Sequence, residues 1–245
     1  MLNNIFSALR NRARAVVSSI VISVVLCGCG AVMTFYLAPT QALKAYRISQ
    51  MPLMDAQFVA DDGVGSNVLV TGSLTGDPTR EQPEFIAYTK HEWDVTVTED
   101  DEGNEGTPSG SWSLIQTVIP VLTLEMNGSP VQILANEGAA LSGALHEKII
   151  DGEGSLQASY ENQTLRDGAI RYSGFADGDL ATVYGVTASI GGILPEDIFA
   201  GDRVAFEKYQ KNLASGYLMV GIAFMLCSPL VLVGGAFSSI FGRRK

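Results

Sequence analysis

Residues 16–37 and 213–241 contain no charged side chain, and all 26 Asp and Glu residues of this 245-residue chain lie between them, from Asp55 to Glu207. As helices rising 1.5 Å per residue, these uncharged runs reach about 33 and 43 Å, enough to cross the ~30 Å of hydrocarbon in a bilayer. Arg10, Arg12 and Arg14 precede the first run, and Arg243, Arg244 and Lys245 follow the second. Each end therefore carries +3 and the middle −16, within a formal total of −10. Positive charge beside a membrane span marks the cytoplasmic side, so each run independently predicts a cytoplasmic terminus. Tyr36 and Tyr217 fall toward the opposite ends of the runs, where an aromatic belt belongs.

This yields a division of the chain. It has a basic tail (1–15), a first span (16–37), an interfacial linker entered through a break at Pro39 (38–53), and a middle domain (54–205). A linker helix (206–212), a second span (213–241) with Pro229 as its kink, and a basic tail (242–245) follow. The location expected is the inner membrane, with the middle domain periplasmic. So acidic a domain has no basic face with which to displace the counterions of nucleic acid.

Leu26-Cys27-Gly28-Cys29 resembles a lipobox, in which a signal peptide is cut and Cys29 carries lipid. A cleaved signal needs only a 7–15-residue apolar core, whereas this run continues to Leu37. The continuation favours a retained helix, with lipidation of Cys29 as the alternative. Cys27, Cys29 and Cys227 all lie in the apolar runs, so the middle domain offers no disulfide framework and no zinc-ligand set.

Within the middle domain the pattern is of short strands. "NVLVTGSL" is bounded by turn residues, and "EFIAYTKHEWDVTVT" alternates, with Phe85, Ala87, Thr89, His91, Trp93, Val95 and Val97 on one face. "VLTLEM" and "VQIL" flank Asn127-Gly128, a hairpin turn signal. "SLQASY", "AIRYSGF" and "LATVYGVTAS" follow, while residues 139–150 read as one short helix. "GVGSNVLVTGSLTG" and "DGDLATVYGVTASI" echo each other weakly. The fold class expected is mainly β, a sandwich or partly open barrel, flanked by two transmembrane helices.

Three local patterns carry a family resemblance: "VLVTGSL" with "EFIAYTKHEWDV", "IPVLTLEMNGSPVQIL", and "SYENQTLRDGAIRYSGF" with "LATVYGVTAS". Together with the flanking apolar runs, the region 54–200 resembles the GIDE domain of membrane-anchored mitochondrial and plastid ubiquitin ligases and their bacterial relatives. The resemblance implies a β-rich interaction domain between membrane anchors. It does not carry ubiquitin transfer here, because a RING needs about eight Cys or His ligands and the chain holds three Cys and two His.

Candidate sites are few. In a strand His91 points away from Glu92 and Asp94, so these groups do not converge on a metal or a proton-transfer centre. His146 reads as a surface residue of the short helix. Residues 99–105 (EDDEGNE) crowd five carboxylates, but without the spacing of a calcium loop. In the second apolar run Gly234 and Ser238, with Gly235 and Ser239 alongside, form a small-residue ridge on which another helix can pack. With no catalytic constellation and no cofactor motif, the expectation is a non-catalytic interaction or scaffold subunit. It would be partnered by the membrane and by a membrane protein or a second copy. The competing expectation is a sensor that holds a lipid, cation or small molecule.

Overall fold

The computed structural model describes residues 2–52, 54, 64–98, 106–189 and 191–241, with side chains described from residue 17 to residue 234 of these. The acidic segment 99–105 and the side chains of Gly235, Ser238 and Ser239 lie outside the described residues. The chain forms two compact units, residues 51–206 and the pair of segments 1–50 and 207–245.

The second unit is helical. α1 (Leu2–Val32) runs into α2 (Ala38–Gln50) through a π-helical turn at Met33–Leu37. Pro39 therefore does not break the helix as its sequence position suggests. A proline has no N–H and its ring crowds the carbonyl four residues back. The wider π turn makes room for it, with Ala38 N–H donating to the Met33 carbonyl five residues earlier. The Thr40 hydroxyl lies 2.8 and 2.9 Å from the Tyr36 and Leu37 carbonyls. α3 (Arg203–Phe241) is one helix through Pro229. Segments Val17–Gln50 and Arg203–Gly234 are long and apolar enough to cross a membrane, and only 11% of each apolar window is buried. Val24, Phe35, Leu226 and Leu230 each expose about two thirds or more of their surface. An apolar patch of this extent marks a membrane or interaction surface.

The strand unit is built around a barrel. β1 (Asn67–Thr75), β4 (Leu122–Met126), β5 (Ser129–Ile133), β12 (Ile193–Ala200) and β11 (Asp179–Thr187) follow one another around it, and β11 closes back onto β1. All neighbours are antiparallel except β12, which runs parallel to β5 and then to β6 (Ala140–Gly143). Five strands closed in this Greek-key order make an OB-type barrel. The two echoing segments are β1 and β11, and they pair side by side from Asn67↔Val186 to Leu74↔Asp179. At the β4–β5 turn Asn127 and Gly128 both take positive φ, 50° and 81°, as the Asn-Gly signal predicts. The interior is filled: Val68, Leu74, Leu124, Ile133, Phe175, Val183 and Ile198 are all at most 2% exposed and belong to one continuous cluster.

Two excursions from the barrel supply a second sheet, ordered β3 (Ser109–Val118), β2 (Ala87–Thr96), β10 (Ile170–Phe175), β7 (His146–Ile150). A hairpin of β8 (Gln157–Tyr160) and β9 (Gln163–Arg166) packs against one face of it. The segment 139–150 is thus two strands and not a helix. β6 is held by its parallel pairing with β12, and β7 by antiparallel pairing with β10. Both partners lie far along the chain, and they override a local helical bias.

Candidate functional site

The seam of the helical unit is defined by register. Ser23 meets Ser228, Gly30 meets Gly221 and Gln41 meets Gln210, so the two helices run antiparallel. Ser23 Oγ lies 2.9 Å from the Ser228 carbonyl, Ser228 Oγ lies 2.9 Å from the Ser23 carbonyl, and the hydroxyls are 2.6 Å apart. Ser228 thus reaches across to α1 rather than serving a carbonyl freed by Pro229 in its own helix. Farther along, Gln41 Nε2 donates to Gln210 Oε1, and Gln210 is 2% exposed. Between these polar contacts the backbones approach closely: a Cβ on Gly30 would stand 2.7 Å from the Gly221 carbonyl oxygen. Polar side chains that satisfy each other and small residues that admit a neighbouring backbone are what hold helices together in lipid. Gly234, from the ridge read in the sequence, meets nothing within 4 Å. Cys27, Cys29 and Cys227 are exposed on the helix surfaces.

In the strand unit the second sheet carries a different chemistry on each face. On one, Glu81 accepts from Lys90 Nζ, from Tyr172 OH at 3.0 Å and from Tyr88 OH at 3.1 Å. The hydrogen bond from Lys90, then that from Tyr172, holds the Glu81 carboxyl below its ordinary range. Burial, then the Glu81 carboxylate, pushes Tyr88 up to about 12. This group borders an open cleft of about 390 Å³ lined also by Arg80, Gln116, Val118 and Pro120.

The opposite face is aromatic. Trp93 and Trp112 are directly paired across β2 and β3, their ring centres 4.9 Å apart, and Tyr160 from the hairpin closes the group at 5.5 and 5.4 Å. The Arg171 guanidinium stands 4.6 Å over the Trp112 ring and donates to Tyr160 OH at 2.9 Å. Arg171 is directly opposite His91 in the sheet. Burial, and secondarily the Arg171 charge, lowers the His91 pKa and so favours the neutral imidazole. The cage of rings is therefore occupied by the protein's own cation.

The sequence-derived candidates separate as follows. His91 is half-buried beside Arg171, while Asp94 is exposed and accepts from Ser113 Oγ, so the two do not converge. His146 is exposed on β7, 3.2 Å from Asp179 Oδ1. Among the described residues no group of three His, Cys, Asp or Glu side chains is placed to hold a metal ion. The Glu81 and Arg171 groups escape sequence reasoning because their members come from separate strands and belong to no motif. A comparison with protein-family models, curated proteins and solved structures finds no match to this chain.

Proposed function

We propose that this chain is a two-pass membrane protein whose acidic β-domain is a non-catalytic docking module, recruiting a membrane-protein partner or a second copy through an added strand. One observation carries the reading. β3 is the edge of the second sheet, is ten residues long, and has no charged residue in a domain rich in carboxylates. Its Leu114 and Ile115 are 60% and 52% exposed. Apart from one irregularity at Ile115 in its pairing with β2, β3 lacks the charge and proline that normally blunt an edge, and such an edge is a template for strand addition. The filled barrel interior also favours docking over enclosure of a ligand. A sensor role finds its support in the open cleft beside Glu81, whose mixed walls of Pro120, Val118, Arg80 and Glu81 suit a small amphipathic ligand.

In this reading both termini are cytoplasmic, by the arginine bias at each end, and the β-domain is periplasmic in the inner membrane. The first span is retained. Its support is Ser23, which lies ahead of any cut at Cys29 yet is 2% exposed and bonded to Ser228. The GIDE assignment belongs to the same proposal, supported by a β-rich domain lying between two apolar helices in the chain.

A photo-reactive residue at position 115 in intact cells, followed by native gel electrophoresis, tests the docking module. A cross-linked higher-mass species should appear and should be lost when Leu114→Lys is added to the probe-bearing chain. A probe-bearing chain that stays uncross-linked and migrates as a monomer rules the proposal out.

A further inference from the structure

On the helical unit, Tyr209, Asn212, Leu213, Gly216 and Val220 recur at three- and four-residue intervals and so share one face of α3. With Met33 of the π turn they line an open groove of about 450 Å³, a ligand-sized volume. Two features shape it. The π turn places Met33 at the seam, and Gly216 leaves open space, since a Cβ there would meet nothing within 4 Å. The walls at Met33, Leu213 and Val220 are apolar, whereas the end nearest the domain boundary in the chain carries Tyr209 and Asn212. Lys208, exposed, precedes Asn212 by one turn on the same face.

The charge at this end is distinctive. Among the described residues of the unit, Lys44, Arg47, Lys208 and Lys211 face a single carboxylate, Glu207, in a chain that is otherwise strongly acidic. An apolar groove along a candidate membrane span, with a cationic and hydrogen-bonding mouth, is complementary to one molecule of matching polarity. We propose that it binds an anionic phospholipid, one acyl chain lying along Met33, Leu213, Gly216 and Val220 and the phosphate held by Lys208 and Asn212. The inference rests on the reading of these helices as membrane spans.

The test uses the full chain. Native mass spectrometry of detergent-solubilised protein compares bound phosphatidylglycerol with bound phosphatidylcholine. Phosphatidylglycerol should be retained preferentially. Lys208→Gln should weaken that preference about fivefold, the effect of one basic residue at an anionic surface. Gly216→Leu fills the groove without touching the backbone and should abolish retention. Gly28→Leu, at a site equally open but away from the groove, should leave it intact. Equal retention of the two lipids, or undiminished retention in Gly216→Leu, overturns the site; an unchanged preference in Lys208→Gln overturns the phosphate assignment. Carbonate extraction of membranes separates the two levels of the claim. A chain released by carbonate overturns the membrane reading, whereas a carbonate-resistant chain without lipid preference overturns the lipid site alone.

Discussion

Replacing Gly30 with alanine tests the helix seam directly. The new Cβ would stand 2.7 Å from the Gly221 carbonyl oxygen and 3.1 Å from Met225 N, where ordinary contact begins at 3.4 Å. Met225 Cγ, at 2.9 Å, can swing away, but the Gly221 oxygen and Met225 N are backbone and cannot, so relief of the 2.7 Å contact to 3.4 Å parts the helices by about 0.7 Å. Seven residues along, the Ser23–Ser228 bonds of 2.9 Å would lengthen to about 3.6 Å, beyond hydrogen-bond range. Two interhelical hydrogen bonds in a membrane contribute about 0.6 kcal/mol each, and overpacking costs about 1–3 kcal/mol. The loss relative to an unhindered glycine-to-alanine change is about 2–4 kcal/mol. Gly28→Ala, with no atom within 4 Å, supplies the intrinsic helix gain from glycine to alanine and nothing else. Denaturation in mixed detergent micelles, followed by circular dichroism, reads the difference between these two variants. A mutant cycle adds specificity, because Ser23→Ala should cost less in the Gly30→Ala background than in the native chain. Equal stability of Gly30→Ala and Gly28→Ala would refute the close approach.

Other outcomes follow from the strand unit. Gly110→Ala should destabilise by about 1–3 kcal/mol and shift tryptophan emission, because its Cβ would collide with the Trp93 ring. Leu124→Ala should cost about 2–5 kcal/mol of barrel stability in thermal unfolding. Glu161, at φ 51° in the β8–β9 turn, should give about 0.5–1 kcal/mol of added stability when replaced by glycine. His91 has a folded pKa below its unfolded value of 6.5. The unfolded chain therefore takes up the proton first on acidification. The resulting contribution is present above pH 6.5 and is lost as the pH falls from there toward the folded value. His91→Gln should flatten this part of the profile of Tm against pH, and an identical profile in the variant would refute it.

Much of the architecture could be read before any coordinates, and the reasons differ by element. The two long apolar helices were legible because charge is absent over the whole of each run, and the β4–β5 hairpin because Asn127-Gly128 meets the demand for positive φ. The alternation of β2 held from Trp93 to Thr96 but failed before it, where residues 89–92 are all half-buried and residues 85–88 all buried. There the strand passes from the second sheet to the barrel cluster, which claims Ile86 and Ala87 while Phe85 and Tyr88 join a separate aromatic group. Residues 139–150 were misread because an alanine- and leucine-rich stretch looks helical until β12 and β10 are known to lie beside it. The seam was hidden for a related reason. Gly28, Gly30, Gly216, Gly221 and Gly234 are alike in sequence, and only the register of the pair singles out Gly30 and Gly221. The Arg171 and Glu81 groups draw on three or more separated segments each, a degree of convergence that no local pattern encodes.

The pairing of Ser23 with Ser228, and of β1 with β11, has a consequence for biosynthesis. Ser23 meets Ser228 across a separation of 205 residues, and the first barrel strand waits more than a hundred residues for its closing neighbour. A nascent chain stalled before that point holds an apolar helix without its mate and a raw strand border. Both openings are sealed only once β11 and α3 have been made.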